Sequence, residues 1–328
     1  MTKIVVTDGY TMNPGDLSWE PFMKLGDFHV YDRTSPEQVF ERIGDADIVL
    51  TNKTLLPAEV LVKLPNLRYI GATSTGYNVI DIEAAISQGI LVTNVPEYAT
   101  FATAQMTIAL LLELTNRAGS HNQMVHEGTW QTSADFCFTN APLTELWGKT
   151  LGLIGYGRIA QRTAQIARAL GMKVLANSRS IEANLKNSLT ENQTGEECIL
   201  FTTFDNLLAQ SDVISCHCPL TPATNGLLCS DTISRMKDGV LLINTSRGPV
   251  LKEEDVAAAL QSGKIAGAAV DVLCTEPPSG SNPLLHAPNC IITPHIAWAP
   301  RETRDRLLHT VYENIVAYLD GKPQNVVS

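Results

Sequence analysis

The decapeptide Leu151-Gly-Leu-Ile-Gly-Tyr-Gly-Arg-Ile-Ala160 lies near the middle of the chain, and its reading decides the fold. Residues 150–154 form an apolar run that reads as a strand. The run breaks at Gly155-Tyr156-Gly157, and 158–170 then carries a helical pattern. Strand, tight turn and helix with the spacing G-x-G-x-x-A suit a dinucleotide. Gly155 permits the turn, and Gly157 lets backbone approach a pyrophosphate whose charge rests at the helix N-terminus. Ala160 is small where helix and strand must pack closely. A tight turn of purely structural use is the competing reading, and the strand–helix context weighs against it. Enough chain precedes the turn for a separate domain.

Outward from the turn, short strands alternate with helices in both directions. Before it, 3–8, 28–31, 48–50, 69–72 and 90–93 read as strands, with helices at 36–43, 58–64 and 81–88. Such alternation implies a parallel sheet. Residues 100–116 form a long apolar helix pattern, and 130–142 is irregular. After the turn, strands are expected at 173–176, 213–216, 240–244, 268–272 and 290–293. With 150–154 they make six, enough for a dinucleotide fold. Residues 181–198 are polar and read as a loop or frayed helix. Residues 255–262 form a helix closed by Gly263, and an amphipathic helix at 300–319 is ended by Gly321 and Pro323. The expected organisation is a dinucleotide domain at 99–296 interrupting a first domain of residues 1–98, to which the tail 297–328 returns.

The 328 residues can bury two cores, and 44% hydrophobic residues is ordinary for a globular protein. A net charge of -10 without any Lys/Arg run argues against nucleic acid as a partner. The N-terminus lacks the apolar region of a signal peptide, and no run reaches membrane-spanning length. Seven scattered cysteines without a Cys-x-x-Cys pair imply reduced thiols and a cytoplasmic setting. Cys216-His217-Cys218 invites a metal reading. Its place in an apolar strand points both thiols to one face, so buried structural cysteines and no metal site are expected.

Three segments follow late strands, where ligands bind in such sheets. Arg247 follows the strand 240–244, and a guanidinium holds a carboxylate through two bonds. Glu276 precedes two prolines. His295 follows a strand and Pro294, and histidine is the natural proton donor near neutral pH. A carboxylate beside it would orient it and support its charged form. Hydride from a nicotinamide, a proton from His295 and a carboxylate anchor at Arg247 together make a 2-oxo acid reductase.

Over nearly its whole length the sequence resembles the D-isomer-specific 2-hydroxyacid dehydrogenases, and within them the glycerate dehydrogenases, or hydroxypyruvate reductases. The resemblance is carried by Gly71-Ala-Thr-Ser-Thr-Gly-Tyr-Asn-Val-Ile-Asp81, the glycine turn from Leu146 onward, Leu242-Ile-Asn-Thr-Ser-Arg-Gly248, Asp271, Glu276-Pro277 and Pro294-His295-Ile296. It implies an α/β protein of two doubly wound parallel sheets, a Rossmann domain inserted into a flavodoxin-like substrate domain. Arg247 then matches the substrate arginine, His295 the acid/base and Glu276 its partner. Ser74, Thr75 and Gly76 match the loop whose amides hold the substrate carboxylate, with Trp298 either walling the substrate pocket or packing between domains. Gly155, Gly157, Arg158, Ile159, Cys218, Pro219, Thr245, Ser246, Asp271 and Ala297, together with Thr75, Arg247 and His295, match coenzyme positions. The resemblance also implies a homodimer through the long helix after Tyr98. Closure on the coenzyme across hinges near Asn94–Tyr98 and Ile296–Ala299 is expected because few connections cross there. The expected substrates are hydroxypyruvate or glyoxylate. Other D-2-hydroxyacid dehydrogenases are the nearest rivals. A dinucleotide-sensing corepressor is the rival from another class, disfavoured by the absence of extra tails.

Two positions depart from the commonest pattern: Ala160 replaces the third glycine, a tolerated change, and the second lies at the end of a strand. The strand ending at Asn177 is followed by Ser178 and Arg179, where an NAD enzyme carries an acid for the ribose hydroxyls. Nothing there repels a 2′-phosphate, and Arg179 offers it a partner. The expectation therefore tilts to NADP while keeping NAD, with Asn177 or Ser178 as the alternative ribose contact. His121 and His126 are expected at a helix end in solvent, and His217 is a further candidate for the coenzyme crevice.

Overall fold

Short strands, most of them rich in Ile, Val and Leu, build the first sheet: Lys3–Val6 (β1), Asp27–Val30 (β2), Ile48–Thr51 (β3), Tyr69–Ala72 (β4) and Leu91–Thr93 (β5). The computed structural model describes residues 1–179, 191–192 and 199–328. It divides into two units, Met1–Ala99 with Trp298–Ser328, and Thr100–Ala297. In the first, the strands pair in parallel in the order β2-β1-β3-β4-β5. Successive side chains point to opposite faces. Val5, Val49, Ile70 and Val92 meet Ile43, Leu61 and Ala85 on one face. Ile4, Val6, Ile48, Leu50 and Tyr69 meet Leu307, Leu308, Val311 and Ile315 of the helix Arg301–Leu319 on the other. Both faces are covered, so the strands read as continuous apolar runs. Arg304, nearly buried, fixes the start of that helix by pairing two-pronged with Asp16, at 2.7 and 2.6 Å. The tail then adds Val326 beside Thr93 in antiparallel pairing.

The second unit carries Thr150–Ile154 (β6), Lys173–Asn177 (β7), Glu191–Asn192 (β8), Ile199–Phe201 (β9), Val213–Cys216 (β10), Val240–Asn244 (β11), Ile265–Val270 (β12) and Cys290–Ile292 (β13). Their order is β13-β12-β11-β10-β6-β7-β9-β8, parallel except where β8 meets β9. Counted from β6 along the parallel strands, this is 3-2-1-4-5-6 with a seventh strand added. That is the dinucleotide-binding order, with its reversal between β6 and β10. The helix Arg158–Ala169 presents Ala160, Ala164 and Ala167 to Ile108, Leu111 and Leu114 of the helix Thr100–Asn116.

Several expectations are corrected. The six strands read from sequence omit β9, which occupies the third position and is too short to show a period. The expected loop or frayed helix at 181–198 lies, apart from 191–192, outside the described residues. β12 starts at Ile265 rather than 268 and ends at Val270, so Asp271 stands just past it. Of the two histidines expected at a helix end in solvent, His126 is the exposed last residue of a second helix, Ala118–His126, while His121 lies within that helix. His121 there is half-buried, its Nδ1 donating to the Arg117 carbonyl at 2.8 Å while Nε2 accepts from the Asn140 amide at 3.3 Å. Among the described residues, no helix is long and apolar enough to cross a membrane.

Candidate active site

The glycine turn joins β6 to its helix where the strand order reverses. Gly155 has φ +90°, and a Cβ on it would stand 2.7 Å from the Cys218 amide nitrogen and 2.8 Å from the His217 carbonyl. The position therefore excludes any side chain. Gly157 differs: a Cβ there would meet nothing within 4 Å. Beside the N-terminus of a twelve-residue helix, that open backbone is a cradle into which a pyrophosphate fits. Arg158 is exposed and Ile159 half-buried at the first helical positions. Phe201 of β9 packs edge-on to Tyr156 at 5.2 Å and supports the turn.

Cys218, next along the same edge, is buried, as is Cys216, and burial pushes both thiols up. Pro219 is exposed beyond them. His217 binds the Ser215 hydroxyl through Nε2 at 2.9 Å, and burial lowers its pKa to about 4, so its ring is neutral near neutral pH. At the end of β7 the Asn177 amide nitrogen donates to the Thr202 carbonyl at 2.9 Å, which commits that side chain to joining β7 to the segment after β9. Ser178 is half-buried and Arg179 exposed. The Arg179 charge lies near enough to oppose the upward shift of the Cys218 thiol.

Three loops leave the adjacent strands β11, β12 and β13. In the first, buried Asn244 donates through Nδ2 to the Arg247 carbonyl at 2.9 Å. Its Oδ1 accepts from the Ser246 amide and hydroxyl, at 3.0 and 2.8 Å. Thr245 shares a 2.9 Å hydrogen bond with Thr107. Arg247 is exposed, with Nη1 donating to the Ser246 carbonyl at 2.7 Å. In the second loop Glu276 accepts from the Leu273 amide through Oε1 at 3.0 Å, and its Oε2 lies 2.7 Å from His295 Nδ1. With Nδ1–H donating to the carboxylate, the outer nitrogen Nε2 is left for another partner.

His295 has φ +54°, an unusual conformation for a residue with a side chain. Asp271 holds it there. This buried carboxylate accepts from the Thr293 hydroxyl at 2.6 Å and from the Ile296 and Ala297 amides at 2.9 Å. Asp271, expected as coenzyme wall, thus first shapes the loop that presents His295. Sequence reasoning missed Asn244 and Thr293, because a side chain that bonds loop backbone leaves no periodic signal.

In the first unit, the Ser74, Thr75 and Gly76 loop follows β4. Thr75 Oγ1 donates to the Val95 carbonyl at 2.9 Å, and the Ser74 hydroxyl donates to the Gly76 carbonyl. Asp8 takes the amides of Asn52, Lys53 and Thr54, and Asn52 in turn donates to the Thr73 carbonyl at 3.0 Å, tying the neighbouring loops together. Trp298 packs half-buried against the cluster around Ile4 and Leu307.

Residues 108–297 match the NAD binding domain of the D-isomer specific 2-hydroxyacid dehydrogenases. The chain is 53% identical to a hydroxypyruvate reductase of Blautia hydrogenotrophica over 99% of both chains. Its fold superposes on a D-lactate dehydrogenase of Aquifex aeolicus complexed with NAD and lactic acid, with TM-score 0.80 and 30% identity over 98% of this chain and 96% of that one. It also superposes on an NADPH-dependent glyoxylate/hydroxypyruvate reductase of Sinorhizobium meliloti in complex with NADP and malonate, with TM-score 0.81 and 26% identity over 100% and 97%. With these matches and this constellation, the chain belongs to the D-isomer specific 2-hydroxyacid dehydrogenases, NAD(P)-dependent oxidoreductases of 2-hydroxy acids.

Proposed function

We propose that the enzyme reduces hydroxypyruvate to D-glycerate, with glyoxylate as a second substrate. The observation that carries the chemistry is the 2.7 Å contact between His295 Nδ1 and Glu276. It fixes the tautomer, supports the imidazolium and leaves Nε2–H to protonate the carbonyl oxygen. Arg247, on the loop of the adjacent strand, holds the substrate carboxylate with its guanidinium fork. A bound nicotinamide supplies the hydride. The backbone at Gly157–Ile159 would hold its pyrophosphate, and Thr245, Ser246 and Asp271 would wall the nicotinamide side. The hydroxypyruvate reductase likeness supports the substrate. Steady-state turnover of hydroxypyruvate, glyoxylate, pyruvate and larger 2-oxo acids with both coenzymes tests it. A preference for pyruvate or a bulky 2-oxo acid would replace this substrate.

For the coenzyme we infer use of NADPH at least as readily as NADH. Asn177 and Ser178 carry no charge to repel a 2′-phosphate, and Arg179 adds an exposed guanidinium beside the turn. Arg179→Ala is expected to raise the KM for NADPH and leave that for NADH unchanged. Ser178→Asp should shift preference towards NADH about tenfold or more, the equivalent of about 1.4 kcal/mol. A wild type that strongly prefers NADH, with neither constant moved by Arg179→Ala, would refute phosphate pairing.

We further infer a cytoplasmic homodimer. The six described cysteines are all unpaired thiols, as a reducing compartment keeps them. The helix Thr100–Asn116 is largely buried within its own unit, but the segment after it exposes Trp130, Phe136 and Trp147, the last two by 89% and 76%. Association would take such aromatics out of water, which supports the dimer. Sedimentation at micromolar concentration should give twice the chain mass, and a monomer would overturn the inference.

A further inference from the structure

Glu253 opens the helix Glu253–Ser262, and only 8% of it is exposed. Its Oε1 accepts from the Cys274 amide at 2.8 Å, and its Oε2 accepts from the Asn282 side-chain amide at 3.0 Å. These partners lie on either side of Glu276 in the loop that leaves β12. Asn282 turns its own Oδ1 to the Leu284 amide at 3.0 Å, which fixes which of its ends faces Glu253. A buried carboxylate is tolerated where such bonds, and a helix N-terminus, compensate it.

The amide adjacent to Cys274, that of Leu273, donates to Glu276 Oε1 at 3.0 Å. Two consecutive amides of one turn are thus each taken by a carboxylate: Glu253 anchors one, and Glu276 hangs from the other. The turn also abuts Gly248, where a Cβ would fall 2.0 Å from the Leu273 carbonyl carbon. The turn is clamped between the Arg247 loop and Glu253.

We propose that Glu253 is a positioning residue for the proton donor: by clasping Cys274 and Asn282 it sets the turn from which Glu276 reaches His295. This rests on the reading of Glu276 and His295 as the proton-transfer pair. The titratable groups around the clasp are the Cys274 thiol, pushed up to about 12 by burial and by the charge of Glu253, then Glu254, and Asp255, which Lys252 approaches at 3.4 Å. On the side of His295 they are Glu276 and Asp271.

Both partners of Glu253 are donors, so Glu253→Gln sets a donor against one of them. Reduction consumes a proton from His295, and the Glu276 carboxylate stabilises the ring that carries it. The alkaline limb of kcat/KM for hydroxypyruvate is therefore expected to move to lower pH in Glu276→Gln, and by a smaller amount in Glu253→Gln. If Glu253 acts only through Glu276, the double variant coincides with Glu276→Gln alone. Pairing Glu253→Gln with Asn282→Asp exchanges donor and acceptor and should return the limb to its wild-type position. If Glu253→Gln does not fold, Asn282→Ala, which opens the clasp from the loop side, should move the limb the same way. Loss of thermal stability with an unmoved limb, or shifts that add in the double variant, would overturn the proposal. An unmoved limb in Glu276→Gln would instead remove the proton-transfer pair itself, and the proposal with it.

Discussion

His295→Gln is expected to lower the turnover of hydroxypyruvate by about 10²–10⁴-fold, the scale of general acid catalysis, while the dissociation constant for NADPH stays within about twofold. Glutamine approximates the reach of the ring and donates a hydrogen bond, but its amide gives up no proton near neutral pH. The effect is large because the loop does nothing else so carefully. Residues in the left-handed region cost on the order of 1–3 kcal/mol and persist where their surroundings over-determine them. At His295 the surroundings are Pro294 before it and, after it, two amides bonded to the same buried carboxylate, Asp271, at 2.9 Å. Glu276 then settles which nitrogen carries the outward proton. Geometry held this firmly is lost with the ring and not restored by a flexible amide. Turnover within about tenfold of wild type would mean that the proton reaches the substrate oxygen by another route, and His295 would leave the mechanism. Binding of NADPH weakened as much as turnover would move His295 to the coenzyme.

The glycine turn was legible because one backbone conformation, φ +90° at Gly155, leaves a residue type as its trace. The order of Arg247, Glu276 and His295 was legible for a related reason. In a parallel sheet every strand ends on the same edge, so residues just past successive strands are neighbours whatever their separation in sequence. What the sequence did not disclose is side-chain-to-backbone bonding across loops. Asp271 reads as a coenzyme position, and its oxygens also hold the Thr293 hydroxyl and the two amides that follow His295. Asn177 reads as an alternative ribose contact, and its side-chain nitrogen also bonds the Thr202 carbonyl. Glu253 was hidden in Glu253-Glu254-Asp255, a run of acids that reads as a solvated helix N-terminus. β9 escaped because three residues cannot display a two-residue period over a polar background. Trp298 was open between pocket wall and packing, and it packs against the first sheet's apolar cluster. Such partnerships arise from where loops meet, and local periodicity carries no information about that.

Arg247→Lys should reduce kcat/KM for hydroxypyruvate about 10–100-fold, because a charge-assisted hydrogen bond of about 1.5–3 kcal/mol is lost when the fork becomes a single ammonium. The backbone beneath Arg247 will not adapt. Asn244 bonds its carbonyl and both polar groups of Ser246, and Gly248 is pressed against the Leu273 carbonyl. The shorter, point-like cation must therefore reach from a fixed base. KM should rise because the carboxylate is held less tightly, and kcat should fall because a substrate held at one point no longer presents its carbonyl squarely to His295. The KM for NADPH should remain within about twofold. Hydroxyacetone, which replaces the carboxylate by a methyl group, supplies the control: whatever slow reduction the wild type gives it should be the same in the variant. An unaltered kcat/KM for hydroxypyruvate would place the carboxylate elsewhere than on Arg247. An equal loss with hydroxyacetone would show that Arg247 acts on the ring of His295 or on the coenzyme rather than on the acid group of the substrate.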